Sequence, residues 1–166
     1  VNLCRISSCY NLSMSRAILD APDWTPAQKL EACNRPLPSE ALKGIVCFNS
    51  GEYFEAHEWL ELAWRAESGA QRDLYRSILL AAVALYHTQR GNFPGALKVT
   101  RRCLRWMNAF PAICCGVQLE KLRLQIENLL NTLQAAEPNF EQFRPPYISP
   151  LEYDPSWPML PQSSLE

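Results

Sequence analysis

The sequence predicts an all-α fold: a compact bundle of two related antiparallel helical hairpins plus a closing helix, with an extended proline-rich strap after it. Three observations predict it. Apolar residues recur at helical spacing in segment after segment, and none alternates convincingly with period two. Caps and breakers fall between those segments. The boundary at Gly51 is also repeated at Gly91, 40 residues on.

Taken in order, Thr25-Pro26 reads as an N-cap followed by proline at the first helical position, opening a short helix to about Cys33. Asn34 to Pro38 breaks it. The next helix runs from Ser39 to Asn49 and stops at Ser50-Gly51; another runs from Glu52 to Ala66 and stops near Ser68-Gly69. A longer one spans Ala70 to Arg90. Asn92 then caps a helix with Pro94 in its first turn, ending before Pro111. The closing helix, about Gly116 to Ala136, sets Leu119, Leu122, Ile126, Leu129, Leu130 and Leu133 at helical spacing.

Composition bounds the class. With 166 residues, 48% of them apolar, the chain makes one domain able to bury about two-thirds of its unfolded surface. A net charge of -1 gives no global electrostatic reason to bind nucleic acid or an anionic membrane. No apolar run approaches the roughly 18 residues of a membrane span. The 6 glycines and 13 prolines, with 20% charged residues, exclude collagen-like and fully disordered classes.

Three stretches organise the chain: residues 1–24 as a poorly ordered N-terminal extension, 25–136 as the bundle, and 137–166 as the tail. The first 16 residues hold Arg5, Arg16, four serines and no acid, and they lack the apolar core of a secretory signal. That composition weakly resembles an organellar transit peptide, but translation starting at Met14 is the favoured reading. The tail carries seven of the prolines and five acids against the single base Arg144. Phe140, Phe143, Tyr147, Tyr153 and Trp157 are interleaved, which predicts a strap docking its rings on the bundle. Seven cysteines form no C-x-x-C pair and no zinc spacing. They read as reduced thiols, including the adjacent Cys114 and Cys115, and so place the chain in a reducing cytoplasm, with the plastid stroma as the other setting.

The repeat aligns Gly51-Glu52-Tyr53-Phe54-Glu55-Ala56 with Gly91-Asn92-Phe93-Pro94-Gly95-Ala96. Each glycine ends a helix in a left-handed cap, an aromatic opens the next helix, and a small alanine permits close approach. In this register His57 corresponds to Leu97 and His87 to Cys47. Glu58 and Glu61 correspond to Lys98 and Arg101, so the matched helices are expected to face one another through ion pairs.

On a helical wheel His57 shares its face with Glu61, Phe54, Trp64, Tyr53 and Leu60, all within about 60° at ~100° per residue, while Glu58 sits at the edge. A carboxylate on an aromatic face is costly to bury unless it is partnered. His87, the second histidine, lies on the neighbouring helix, so His57, Glu58, Glu61 and His87 are expected to converge, with Trp64 alongside. Two readings compete. In one, the four residues hold a divalent metal or act as an acid–base pair, with His57, Glu61 and His87 as ligands and Glu58 or Glu61 as the catalytic carboxylate. In the other, a buried His–carboxylate network fixes helix register. The string lacks the second histidine of the zinc-protease H-E-x-x-H and the E-x-x-H of di-iron bundles.

The string from Phe48 to Glu61, with Trp64 following, resembles the F-x-x-G-x-Y-F-E-x-H-E-x-x-E signature of domain of unknown function family 309. Leu85 to Asn92 and Gly95-Ala96 resemble its second block. The resemblance covers about Pro38 to Arg105, and it implies an all-helical bundle with no established activity or cofactor. It carries over onto Phe48, Gly51, Phe54, His57, Glu58, Glu61, Trp64, His87, Gly91 and Asn92.

Lys98, Arg101, Arg102 and Arg105 form a basic stripe that Arg72, Arg76 and Arg90 would have to reinforce to hold RNA or phosphate. The leading expectation is a binding or adaptor domain whose polar cluster lines a small interhelical cleft and takes a protein partner or small ligand. A metal-dependent hydrolase or oxidase comes second and RNA binding third; no membrane partner is expected.

Overall fold

The computed structural model describes residues 24–157. The readings of residues 1–16 and of the final residues of the tail lie outside them. Among the described residues, six α-helices and one short hairpin follow in order: α1 (Pro26–Ala32), α2 (Ser39–Asn49), α3 (Tyr53–Ala66), α4 (Gln71–Gln89), α5 (Phe93–Met107), β1 (Ile113–Cys114), β2 (Val117–Gln118) and α6 (Leu119–Ala136). A 3-10 turn, Phe140–Gln142, opens the strap. The fold is an all-α bundle.

Local chemistry places the helix ends. The Thr25 hydroxyl accepts from the Gln28 N–H while the Gln28 side chain accepts from the Thr25 N–H, a reciprocal capping box with Pro26 behind it. The two repeated hairpins close identically. Gly51 and Gly91 take left-handed φ values of 75° and 70°, where an L side chain is strained. The next N–H, from Glu52 or Asn92, donates to Cys47 O or His87 O at 3.0 and 2.9 Å, completing a Schellman-type cap. Ala56 and Ala96 are wholly buried. The Asn92 side chain accepts from Gly95 N at 3.1 Å.

Packing runs in sequence order, α2 on α3, α3 on α4, α4 on α5 and α5 on α6. Gly44 lets α2 and α3 approach closely, since a Cβ there would stand 2.7 Å from Leu60 Cγ. Helix α4 is the core element. Ile78 to Leu85 is an unbroken buried run, as expected of a helix that is apolar all round. The closing helix buries Leu119, Leu122, Ile126, Leu129 and Leu133, with Leu130 half-buried. It starts at Leu119 rather than Gly116, because 113–118 form a hairpin pairing Ile113 with Gln118 and Cys114 with Val117. Four paired residues are too few to show alternation in the sequence.

The strap is held by amides as much as by rings. Asn49 Nδ2 donates to Leu151 O at 3.0 Å, and Leu151 N donates to Asn49 Oδ1 at 2.6 Å. Gln125 makes the same two-way clamp with Ser149. Phe140 and Phe143 pack on Phe93 at 5.5 and 4.7 Å between centroids. Trp157 Nε1 donates to Cys33 O at 2.7 Å, while Tyr147 is exposed, contrary to the expectation that it docks.

The cysteine reading is corrected at one pair. Cys33 and Cys114, 81 residues apart, form a disulfide that joins the end of α1 to the hairpin. Cys47, Cys103 and Cys115 are free thiols.

Candidate metal centre

Helix α3 carries the site because i, i+1 and i+4 around a buried histidine fall on adjacent parts of its surface. His57 is 4% exposed. Its Nδ1 lies 3.2 Å from Glu58 Oε1, and its Nε2 lies 3.8 Å from Glu61 Oε2. Arg65, one turn on, donates from Nη2 to the other Glu61 oxygen at 2.6 Å. Ligand atoms of His57, Glu58 and Glu61 all lie within 4.8 Å of one another. Burial is uneven: the Glu58 side chain is 57% exposed and that of Glu61 18%. One wall is therefore open to solvent.

Burial pushes the His57 imidazole below the ordinary histidine range, against the upward pull of Glu61 and Glu58. A neutral ring offers a nitrogen lone pair, the form in which histidine binds metals. The 3.8 Å between Nε2 and Oε2 is about half an ångström wider than the roughly 3.3 Å between two ligands of a tetrahedral ion with ~2.0 Å bonds.

Of the other expected members, His87 is not in this group. Its Nδ1 lies 3.0 Å from Asn92 Nδ2, and its ring stands 6.4 Å from that of Tyr86. Tyr86 in turn meets Phe54 at 5.7 Å, and Phe54 meets His57 at 6.3 Å. A relay of rings thus links the two histidines. Burial also holds His87 below the ordinary range. The unfolded chain takes up that proton near pH 6.5 and the folded chain resists it, so stability falls as pH drops below about 6.5. His57 adds to the loss with the same sign. His87→Gln should melt with a shallower pH dependence than the parent between about pH 7 and 5. Parallel melting curves would show that His87 takes no part.

Trp64 belongs to a different network, which the sequence reading missed. Asp73 and Arg76, both 1% exposed, stand 3.8 Å apart within α4, and Lys29 of α1 lies 3.6 Å from Asp73. The Arg76 guanidinium lies 4.1 Å from the Trp106 ring centroid and 5.5 Å from that of Trp64, which also carries Arg72 at 4.3 Å. These cations are stacked against rings. Burial raises the Asp73 carboxyl above the ordinary range despite Arg76, Lys29 and Arg72.

Arg76 therefore cannot reinforce the basic stripe. On α5, Lys98, Arg101 and Arg105 are exposed and Arg102 is half-buried, and among the described residues no acid lies within ion-pair distance of them. The expected pairs of Glu58 with Lys98 and Glu61 with Arg101 do not form. Arg65, on Glu61's own helix and one turn away, takes that carboxylate instead.

Bundle, buried polar network and His–Glu cluster together make a helical domain with one candidate metal site among the described residues. Residues 41–99 match the family described as a domain of unknown function (DUF309). The chain is also 29% identical over 92 residues to an "Uncharacterized protein" of Aquifex aeolicus (strain VF5). That stretch is 55% of this chain and 28% of the relative, so the match spans under a third of the relative's length. Among the described residues, no helix is long and apolar enough to cross a membrane.

Proposed function

We propose that the chain is a helical binding module whose ligand centre is the cluster on α3, and that a divalent cation is what the centre takes. The carrying observation is that His57 Nε2 and Glu61 Oε2 stand 3.8 Å apart on one partly open helix face, with Glu58 Oε1 3.2 Å from the other ring nitrogen. His57 Nε2 and Glu61 Oε2 are the ligands. Glu58, on the Nδ1 side, fixes the ring's tautomer, and Arg65 steadies Glu61 from behind. Mixed nitrogen and oxygen donors suit zinc, manganese or iron. The ion leaves open positions for a small ligand or a carboxylate of a protein partner.

Glu58→Gln tests this arrangement without touching a ligand. Losing a carboxylate that orients a metal-bound histidine typically weakens binding about 10–100-fold. Competition against a chelating zinc indicator should show such a loss, with melting unchanged in metal-free protein. Equal affinity in parent and variant would mean that Glu58 does not orient the ring.

A metal-dependent hydrolase or oxidase would use the same residues, with Glu58 as the base, once a substrate is identified. The α5 stripe is a solvated face in this reading. The setting is cytoplasmic or stromal, where disulfides are transient and redox-linked rather than permanent staples.

A further inference from the structure

We propose that Cys33, Cys114 and Cys115 form a thiol–disulfide exchange site, in which Cys115 moves the disulfide from Cys33–Cys114 to Cys114–Cys115 and frees Cys33. The Cys115 Sγ lies 4.0 Å from the Cys114 Sγ. All three residues are at most 2% exposed, so the reacting partner is internal. The inference does not depend on the metal centre.

The thiol is held in place at a conformational cost. Cys115 and Gly116 are the two loop residues of the hairpin, with φ of 53° and 80°. Hairpin loops of this form favour Asn-Gly, because an L residue with a larger side chain is strained there. The Cys115 sulfur receives a hydrogen bond from Gln71 Nε2 at 3.2 Å and donates to Ala32 O at 3.3 Å. Gln71 is itself fixed by Pro36 O at 3.0 Å. A donor aimed at the sulfur stabilises the thiolate that must form.

In the step, Cys115 loses its proton and its sulfur lone pair attacks Cys114 Sγ. The Cys33–Cys114 bond breaks, its electron pair leaves on Cys33 Sγ, and that sulfur takes up the proton. No external oxidant or reductant is consumed. The consequence is structural, because Cys33 is where three parts of the fold meet. Its sulfur ties α1 to the hairpin, while its carbonyl accepts from Cys115 N at 2.8 Å and from Trp157 Nε1 at 2.7 Å. Moving the disulfide removes the covalent tie between α1 and the hairpin, beside the carbonyl that holds the strap's end. Burial pushes the Cys115 thiol up to about 11. The exchange is therefore slow at neutral pH, and its rate rises about tenfold per pH unit with the thiolate fraction.

The test is time-resolved alkylation of the oxidised, non-reduced full chain with excess iodoacetamide, read by peptide mapping at about pH 7, 8 and 9. Cys115→Asn is the control, because asparagine suits the left-handed loop position and should preserve the fold. The parent is expected to accumulate alkylated Cys33 beside a Cys114–Cys115 disulfide, about tenfold faster per pH unit. The variant should keep Cys33–Cys114 intact. Alkylation of Cys115 with Cys33–Cys114 retained would overturn the proposal. So would Cys33 labelling as fast in the variant as in the parent, no labelling of any of the three, or another pairing in the starting protein.

Discussion

Arg76→Met is expected to cost about 3–5 kcal/mol of stability, the typical penalty for removing one partner of a buried ion pair. In a domain of this size that lowers the melting temperature by roughly 10 °C or more. The substitution keeps a long side chain between Trp106 and Trp64, so the loss reports charge rather than volume. Asp73 is left 1% exposed with Lys29, at 3.6 Å, as its remaining ion-pair partner. A second substitution makes the argument specific. Asp73→Leu together with Arg76→Met removes both buried charges, and Lys29, which keeps some exposure, can turn towards water. Replacing a whole buried pair with apolar residues is often neutral or better. The double variant should therefore recover much of the loss. Single and double variants melting alike would mean that packing on the two tryptophans, not the ion pair, sets the cost.

His57→Gln is expected to abolish metal binding while leaving most of the stability of metal-free protein in place. Glutamine roughly conserves volume and keeps a polar group that Glu61 or Glu58 can engage, so no large cavity opens. What disappears is the imidazole Nε2 facing Glu61 Oε2. Glu61→Gln should act the same way, since an amide oxygen is a far poorer ligand for a divalent ion than a carboxylate. His57→Ala is the harsher version and adds the cost of an emptied buried site. A fall of many degrees in metal-free His57→Gln, with no metal in the parent, would make the histidine a packing element that fixes helix register.

The sequence was most legible where structure is local. Helix ends followed from Thr25-Pro26, Gly51, Gly91 and Asn92, because caps depend on a few neighbouring atoms. The nearness of Glu61 to His57 followed from their i, i+4 spacing alone. His87 was harder. Its direction depends on how α4 is rotated against α3, and the aromatic pair Phe54 and Tyr86 occupies the space between the two histidines. Arg76 was misplaced because a charge is normally read as solvated. The contrary signal was present in the unbroken apolar run from Ile78 to Leu85, which no one-sided helix needs. A helix buried on every side forces its early charges to find partners inside. The Cys33–Cys114 pair is a tertiary fact, with 81 residues between its ends and no spacing motif to announce it.

Elemental analysis of tag-free protein, purified without chelator alongside His57→Gln, tests the central claim most directly. The account predicts about one zinc, manganese or iron per parent chain and none in the variant. A parent that holds no metal, even after reloading with each of the three, would contradict it and leave His57, Glu58 and Glu61 as a structural network of α3.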